Sequence, residues 1–354
     1  MKNESVLIGM SGGVDSSVTA FLLKEAGYNC IGCTMLLHGS PCGGEDHTAD
    51  AQAVAVRLGI PFSVFDFQNQ FSDQVIGNFI GCYERGRIPN PCIECNKYLK
   101  FGAMLDKALA LGCQYVATGH YAQIHQDSNT GRYLLYKAAD RAKDQTYFLY
   151  GLNQHQLSHT LFPLGSLTKE QARQIAEAQG FLNARKRDSQ DICFVPDGDY
   201  AAFMERYLGK TYPGGDYLDL DGNVVGKHQG AVRYTLGQRK GLGIALGAPV
   251  YVCSKDMEKN TVTVGPNEAL FAKGLLAENW NWFPFPELTA PMEVTAKIRH
   301  SQTEQPATVY PEANGFARVV FHQPQRAITP GQAVVLYQGD MVVGGGTITK
   351  ALTI

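Results

Sequence analysis

A short apolar run, Val6-Leu7-Ile8, breaks at Gly9 into Met10-Ser11-Gly12-Gly13-Val14-Asp15-Ser16-Ser17, and no other segment narrows the possible folds as much. A strand that enters a glycine turn and leaves as a helix opens an α/β unit, and in a parallel sheet that turn lies at the carboxyl edge, where ligands bind. Adjacent Gly12 and Gly13 let backbone N–H groups approach an anion with no Cβ in the way. Ser11, Ser16 and Ser17 add hydroxyls, and the start of the helix adds partial positive charge. Neither the Gly-Lys-Ser/Thr of a Walker loop nor the Gly-x-Gly-x-x-Gly of a dinucleotide fingerprint is present. The segment suits a pyrophosphate.

The pattern that follows keeps to the α/β theme. Val14, Val18, Phe21 and Leu22 share a helical face that stops at Gly27. Residues 29–37 read as a second strand, 49–58 as a helix and 62–67 as a third strand. Tyr98, Phe101, Leu105, Ala108 and Leu109 recur at helical spacing before a strand at 115–117. Repeated strand–helix units predict a parallel sheet covered on both faces. Residues 150–205 read as mostly helical, with Thr168 an N-cap and Gln171 its capping-box partner. Beyond 205 the texture changes to short alternating runs split by Asp221-Gly222, Glu258-Lys259-Asn260 and Gly339-Asp340, the texture of all-β modules. At 354 residues the chain has room for two or three domains. We place them at 1–205 (α/β, catalytic), 206–272 (central, β-rich) and 273–354 (β), with Phe283-Pro284-Phe285-Pro286 a linker or arm near the start of the last.

No apolar run approaches the ~20 residues a bilayer requires. The glycine loop comes within ten residues of the start, so a signal peptide is not expected and the protein is read as cytoplasmic. The net charge of -2 argues against a protein that coats nucleic acid non-specifically. An RNA partner would have to meet local clusters: Lys97 with Lys100, Arg141 with Lys143, Arg185-Lys186-Arg187, or Arg239-Lys240. Nine cysteines, an odd number, argue against a disulfide framework.

Two Cys-x-x-Cys pairs invite a metal reading. Cys30 and Cys33 fall in the second strand, where residues three apart face opposite sides, so one ion would not easily take both. Asn90-Pro91-Cys92-Ile93-Glu94-Cys95-Asn96 reads as a proline-bearing loop. With Asn96 as N-cap of the next helix and Lys97 beside it, the Cys95 thiol is expected to have a lowered pKa.

The ordered set Ser-Gly-Gly-Val-Asp-Ser (11–16), Gly-Arg-Ile-Pro-Asn-Pro (86–91), Cys-Asn-Lys (95–97), Ala-Thr-Gly-His-Tyr (117–121), Lys-Asp-Gln-Thr-Tyr-Phe-Leu (143–149), Asp-Ile-Cys-Phe (191–194) and Tyr234 to Gly243 resembles the bacterial and organellar tRNA-specific 2-thiouridylases, within the PP-loop ATP pyrophosphatase superfamily. The resemblance spans nearly the whole chain. It implies an N-terminal PP-loop domain of the adenine-nucleotide hydrolase type, a small central β-rich domain and a C-terminal β-barrel. It assigns Gly9, Met10, Ser11, Gly12, Gly13, Val14, Asp15 and Ser16, with Met35 and Gly119, to ATP. Cys95 matches the first catalytic cysteine and Cys193 the persulfide carrier. Asn90, Pro91, Cys92, His120, Lys143, Asp144, Gln145, Arg299, His300 and Gln332 match positions that touch tRNA. Better-known members carry an aspartate where this chain has Cys92, so a carboxylate role there does not transfer.

The chemistry so implied is adenylation of the 2-oxygen of a wobble uridine, with Mg²⁺ balancing the phosphates, followed by sulfur delivery from a Cys193 persulfide that a donor protein loads. An alternative keeps the same thiolation but makes Cys92, Cys95 and Cys193 the ligands of a [4Fe–4S] centre. Two rivals stand further off: a nitrogen-transferring PP-loop synthetase, which would need an ammonia source, and a metal-binding RNA scaffold without turnover. DNA and membranes are not expected partners.

Overall fold

The computed structural model describes residues 4–37, 48–181 and 192–353. The first strand, β1 (Ser5–Gly9), leads into α1 (Val14–Glu25), β2 (Asn29–Leu36), α2 (Thr48–Leu58) and β3 (Phe62–Asp66). With β4 (Tyr115–Ala117) and the short β7 (Thr160–Leu161) they build a five-stranded sheet of order β3-β2-β1-β4-β7, every pairing parallel. Val6, Leu7 and Ile8 are fully buried in its centre. Their alternating side chains feed two separate cores, Leu7 on one face and Val6 with Ile8 on the other. Cys30 and Cys33 divide between the same two layers. Burial pushes their thiols up to about 11 and about 12, which makes them core residues.

Between β4 and β7 the chain makes a hairpin that sequence periodicity did not suggest, β5 (Ala122–Gln126) and β6 (Tyr133–Lys137). The stretch from 150 to 205 holds the expected helices, Lys169–Ala178 among them. Thr168 accepts from the Gln171 N–H at 3.2 Å, and the Thr168 N–H donates to Gln171 Oε1 at 2.8 Å. Strand β7 is too short to read from its two residues.

The central β-rich module is a four-stranded sheet, order β10-β11-β8-β9, from β8 (Gly215–Leu218), β9 (Val224–His228), β10 (Tyr251–Asp256) and β11 (Thr261–Gly265). The last six strands are β12 (Phe271–Trp282), β13 (Met292–Lys297), β14 (Gln305–Pro311), β15 (Ala317–Arg326), β16 (Ala333–Gln338) and β17 (Met341–Leu352). They run in order β12-β15-β14-β13-β16-β17, and β12 pairs with β17 to close a barrel. The Phe283 to Pro286 segment is not a linker: Phe283 is fully buried and its N–H bonds to Val343 inside the barrel domain. β6 adds to β17 at Tyr136 and Met341, so the hairpin of the first domain is a lateral extension of the barrel sheet.

Candidate active site

The loop between β1 and α1 is held from inside. Gly12 has φ +71°, a left-handed conformation that a side chain would strain. Met10 is buried over Gly32, where a Cβ would come within 2.7 Å of the Met10 sulfur. The Ser16 hydroxyl accepts from the Ser11 N–H at 3.2 Å, and the Ser17 hydroxyl donates to Gly13 O at 2.9 Å. Gly13, the N-cap of α1, offers no side chain to the first turn, so the N–H groups there keep no side-chain cap. They fit an anion. Gly119 follows β4 so closely against α1 that a Cβ there would lie 2.8 Å from Asp15 C and Ser16 N. Met35, at the end of β2, flanks the same edge of the sheet. The nucleotide set read from the sequence is therefore gathered at one carboxyl edge.

Asp15 is engaged. Lys169 Nζ lies 2.8 and 2.7 Å from its two oxygens, and the Tyr121 hydroxyl donates to Oδ1 at 2.9 Å. Neither Lys169 nor Tyr121 stood out in sequence as a nucleotide-site residue; Lys169 reads there only as the first helical position after a cap.

The cysteine segment is corrected by the structure. Asn90, not Asn96, is the N-cap: its Oδ1 accepts from the Cys92 N–H at 3.1 Å, and Pro91 takes the first helical position. Helix runs from Pro91–Glu94 through a π-geometry stretch, Cys95–Ala103, into Met104–Ala110. Cys92 and Cys95 are thus one helical turn apart on one face. Cys92 is exposed and Cys95 buried. Asn96 is buried inside the helix and donates to Phe148 O at 3.1 Å. Cys193 reaches the pair from a distant segment, fixed by its neighbour Phe194, whose buried ring packs edge-on against Phe71 and Phe79.

The three thiols lie within one another's electrostatic reach. Loss of water to the surrounding protein, and then the charges of Cys95 and Cys92, push Cys193 up to about 12, with Lys100 acting against them. Desolvation raises Cys92 and Cys95 as well, Lys100 again opposing. The expected lowering at Cys95 is overturned, because a buried thiol inside the helix gains less from the helix start than it loses in hydration. In the sequence Lys100 stands only as half of a cluster, with Lys97, that an RNA partner could meet; in the structure it opposes the rise at all three thiols. Among the described residues, no group of three or more His, Cys, Asp or Glu side chains is arranged to hold a metal ion. The cysteines do not fit an iron–sulfur centre as they stand, and that alternative is not favoured.

Lys100 also bears on His120, which follows Gly119 and so joins the loop to the thiols. Burial, then Lys100, hold His120 well below its ordinary pKa, and Thr118 Oγ1 lies 2.7 Å from its Nδ1. It sits neutral between Phe101 and Phe162, inside the protein and not on its surface.

Of the residues expected at tRNA, Gln332 and His300 reach across the join between the first domain and the barrel, while Arg299, Asp144 and Gln145 bond within their own domains. Gln332 donates to Ile88 O at 3.0 Å, just ahead of the cysteine helix. Arg299 donates to Arg326 O and Ala327 O at 2.9 and 2.8 Å. His300 packs against Phe148 with ring centres 4.3 Å apart and the rings tilted by 33°. Asp144 accepts from Thr146 and from the Ala138 N–H, at 2.6 and 3.0 Å. Gln145 exchanges hydrogen bonds with the Tyr121 backbone at 2.9 and 3.0 Å. Cys92 and His300 are exposed, and Lys143 is half-buried. The run Arg185-Lys186-Arg187 and Asp191 lie outside the described residues.

A family model described as tRNA methyl transferase HUP domain matches residues 4–197, one described as tRNA methyl transferase PRC-barrel domain matches 201–266, and one described as aminomethyltransferase beta-barrel domain matches 272–348. The chain is 50% identical to the tRNA-specific 2-thiouridylase of Acetivibrio thermocellus, over 98% of this chain and 100% of that one. It is 48% identical to the one of Clostridioides difficile, over 99% of each chain. For that of Heliobacterium modesticaldum the identity is 51%, over 99% of this chain and 93% of the other. With relatives of this identity along its whole length, the chain belongs to the tRNA-specific 2-thiouridylase family.

Proposed function

We propose that this enzyme uses ATP to replace the 2-oxygen of the wobble uridine of tRNA with sulfur. The observation that carries the reading is the union of an uncapped glycine loop with a three-thiol cluster, bridged by Gly119, His120 and Lys100. Members of the family are named for thiolation while its sequence models are named for methyl transfer; the thiols favour sulfur chemistry.

The uridine 2-oxygen attacks the α-phosphorus of ATP, pyrophosphate leaves, and a poor leaving oxygen becomes AMP. Gly9 to Ser16 hold the phosphates through N–H groups and hydroxyls. Mg²⁺ would balance their charge. Since the described residues form no protein cage for an ion, it would arrive with the nucleotide, as Mg²⁺ commonly does.

A donor protein loads Cys193 as Cys–S–SH. The terminal sulfur attacks C2 and AMP departs. The Cys95 thiolate then attacks Cys193 Sγ, which breaks the sulfur–sulfur bond, frees 2-thiouridine and leaves a Cys95–Cys193 disulfide. Two electrons from an external thiol reductant restore the pair. Lys143 and the exposed face around Cys92 approach the anticodon region, while the barrel holds the cysteine helix from behind. No helix among the described residues is long and apolar enough to cross a membrane, and we place the enzyme in the cytoplasm.

The test is α-labelled ATP with tRNA and a persulfide source. AMP, pyrophosphate and one 2-thiouridine per AMP are expected; ADP as the sole nucleotide product would end the proposal.

A further inference from the structure

Asp15 stands in the first turn of α1, beside the loop assigned above to ATP, and its charge is compensated within the protein itself. The Lys169 ammonium contacts both carboxylate oxygens, at 2.8 and 2.7 Å, across 154 positions of sequence. The lysine side chain is 8% exposed and the aspartate 29%, so the ammonium is the deeper partner and the carboxylate the one nearer solvent. Lys169 has little freedom to leave. It opens the helix Lys169–Ala178, its own N–H donates to Asp140 Oδ2 at 2.9 Å, and the capping box at Thr168 fixes that helix start.

A carboxylate beside a phosphate loop raises a problem of sign. The N–H groups of α1 attract a triphosphate, and a bare Asp15 among them would repel it. This loop has no lysine of its own, unlike a Walker loop. We propose that Lys169 is a further positioning residue of the nucleotide site. It acts through Asp15, as a fixed counter-charge that neutralises and aims the carboxylate so that the loop accepts ATP. The inference rests on the adenylation reading above.

Calorimetric titration of ATP with magnesium into the full chain, without tRNA, tests it. Lys169→Met should weaken ATP binding about tenfold or more, because one partner is removed and a partly buried charge is stranded. Adding Asp15→Asn to that variant should bring affinity back to within about threefold of Asp15→Asn alone, the non-additivity expected of groups acting as a pair. A double variant as weak as Lys169→Met, or a Lys169→Met that binds normally, overturns the inference. Should thermal melting show Lys169→Met unfolded, Lys169→Arg must keep ATP affinity and Lys169→Gln, which retains length but not charge, must lose it; equal binding by the two overturns the inference. Failure of the reading itself shows elsewhere: the unsubstituted enzyme would then release ADP instead of AMP and pyrophosphate.

Discussion

The two ends of the site are prepared to different degrees. At the nucleotide end, Asp15 is bound by two residues from two elements, the serines are satisfied within the loop, and Gly119 seals β4 against α1. At the proposed sulfur end, three thiols, Cys95 buried and Cys92 and Cys193 exposed, lie within one another's electrostatic reach, and desolvation outweighs Lys100 and raises each of them. Preorganised dipoles need no rearrangement when charge develops. A thiol held neutral does not react with the wrong electrophile. Under the proposed reading, the loop is ready for ATP while the thiols, as they stand, are held protonated.

The largest effect that separates the two ends is loss of Cys193. Cys193→Ser should reduce 2-thiouridine, measured by nucleoside mass spectrometry, to background, while tRNA-dependent pyrophosphate release persists. Parallel loss of both would mean that the ends are not separate. The complementary change, Ser11→Ala or Asp15→Ala, should lower pyrophosphate release by about 10²–10³-fold or more with circular dichroism unchanged; normal release would remove the loop from the chemistry.

The protonation contrast is sharpened by pH. With Cys193 pushed up to about 12, its thiolate fraction rises with pH throughout the working range. Iodoacetamide labelling of Cys193, followed by mass spectrometry, should therefore accelerate about tenfold per pH unit from 7 to 10. A plateau below pH 8 would show an activated thiol and erase the difference. The same raised value means that the folded chain holds a proton the unfolded chain releases near 9, so this group contributes stability below that pH and loses it as pH climbs towards 12.

Smaller effects distinguish contact from framework. Arg299→Ala strands two barrel carbonyls and should lower stability by about 1–3 kcal/mol in denaturant melts. Lys143→Ala should leave melts unchanged and flatten the salt dependence of tRNA binding by about one unit. Reversal of the two would exchange their roles. The smallest effect belongs to Cys92→Ser, which should keep thiolation near the unsubstituted level, without iron in anaerobically purified protein. Iron near four per chain, lost with activity on this change, would restore the cluster alternative.

Much of this was legible in the chain because local rules set it. The strand–glycine–helix start, the parallel order of the first strands, the capping box at Thr168 and the β texture after 205 all follow from short-range periodicity and turn chemistry. What stayed hidden depends on contacts distant in sequence. Lys169 reads as an ordinary helical lysine until folding brings it to Asp15. The position of Asn96 before a polar helical stretch imitates a cap, while the cap is Asn90, six residues earlier than the elevated-acidity argument for Cys95 requires. The hydrogen bonds that occupy Arg299, Gln145 and Gln332 come from partners no spacing announces.

The single lateral pairing of β6 with β17, Tyr136 opposite Met341, has a consequence in time as well as in space. On the ribosome, the hairpin emerges about 200 residues before the strand that receives it, which at ~5–20 residues per second is ~10–40 s of waiting. Lys137, whose N–H will find Asp340 O and whose ammonium will find Glu304, stays unmatched through that interval. So does the Tyr150 ring, destined for the space above Gly345, where a Cβ would come within 2.4 Å. A nascent chain stalled before the barrel would carry a complete glycine loop beside an open strand edge. Completion of translation, and not only folding of the first domain, is what closes the edge next to the cysteine helix.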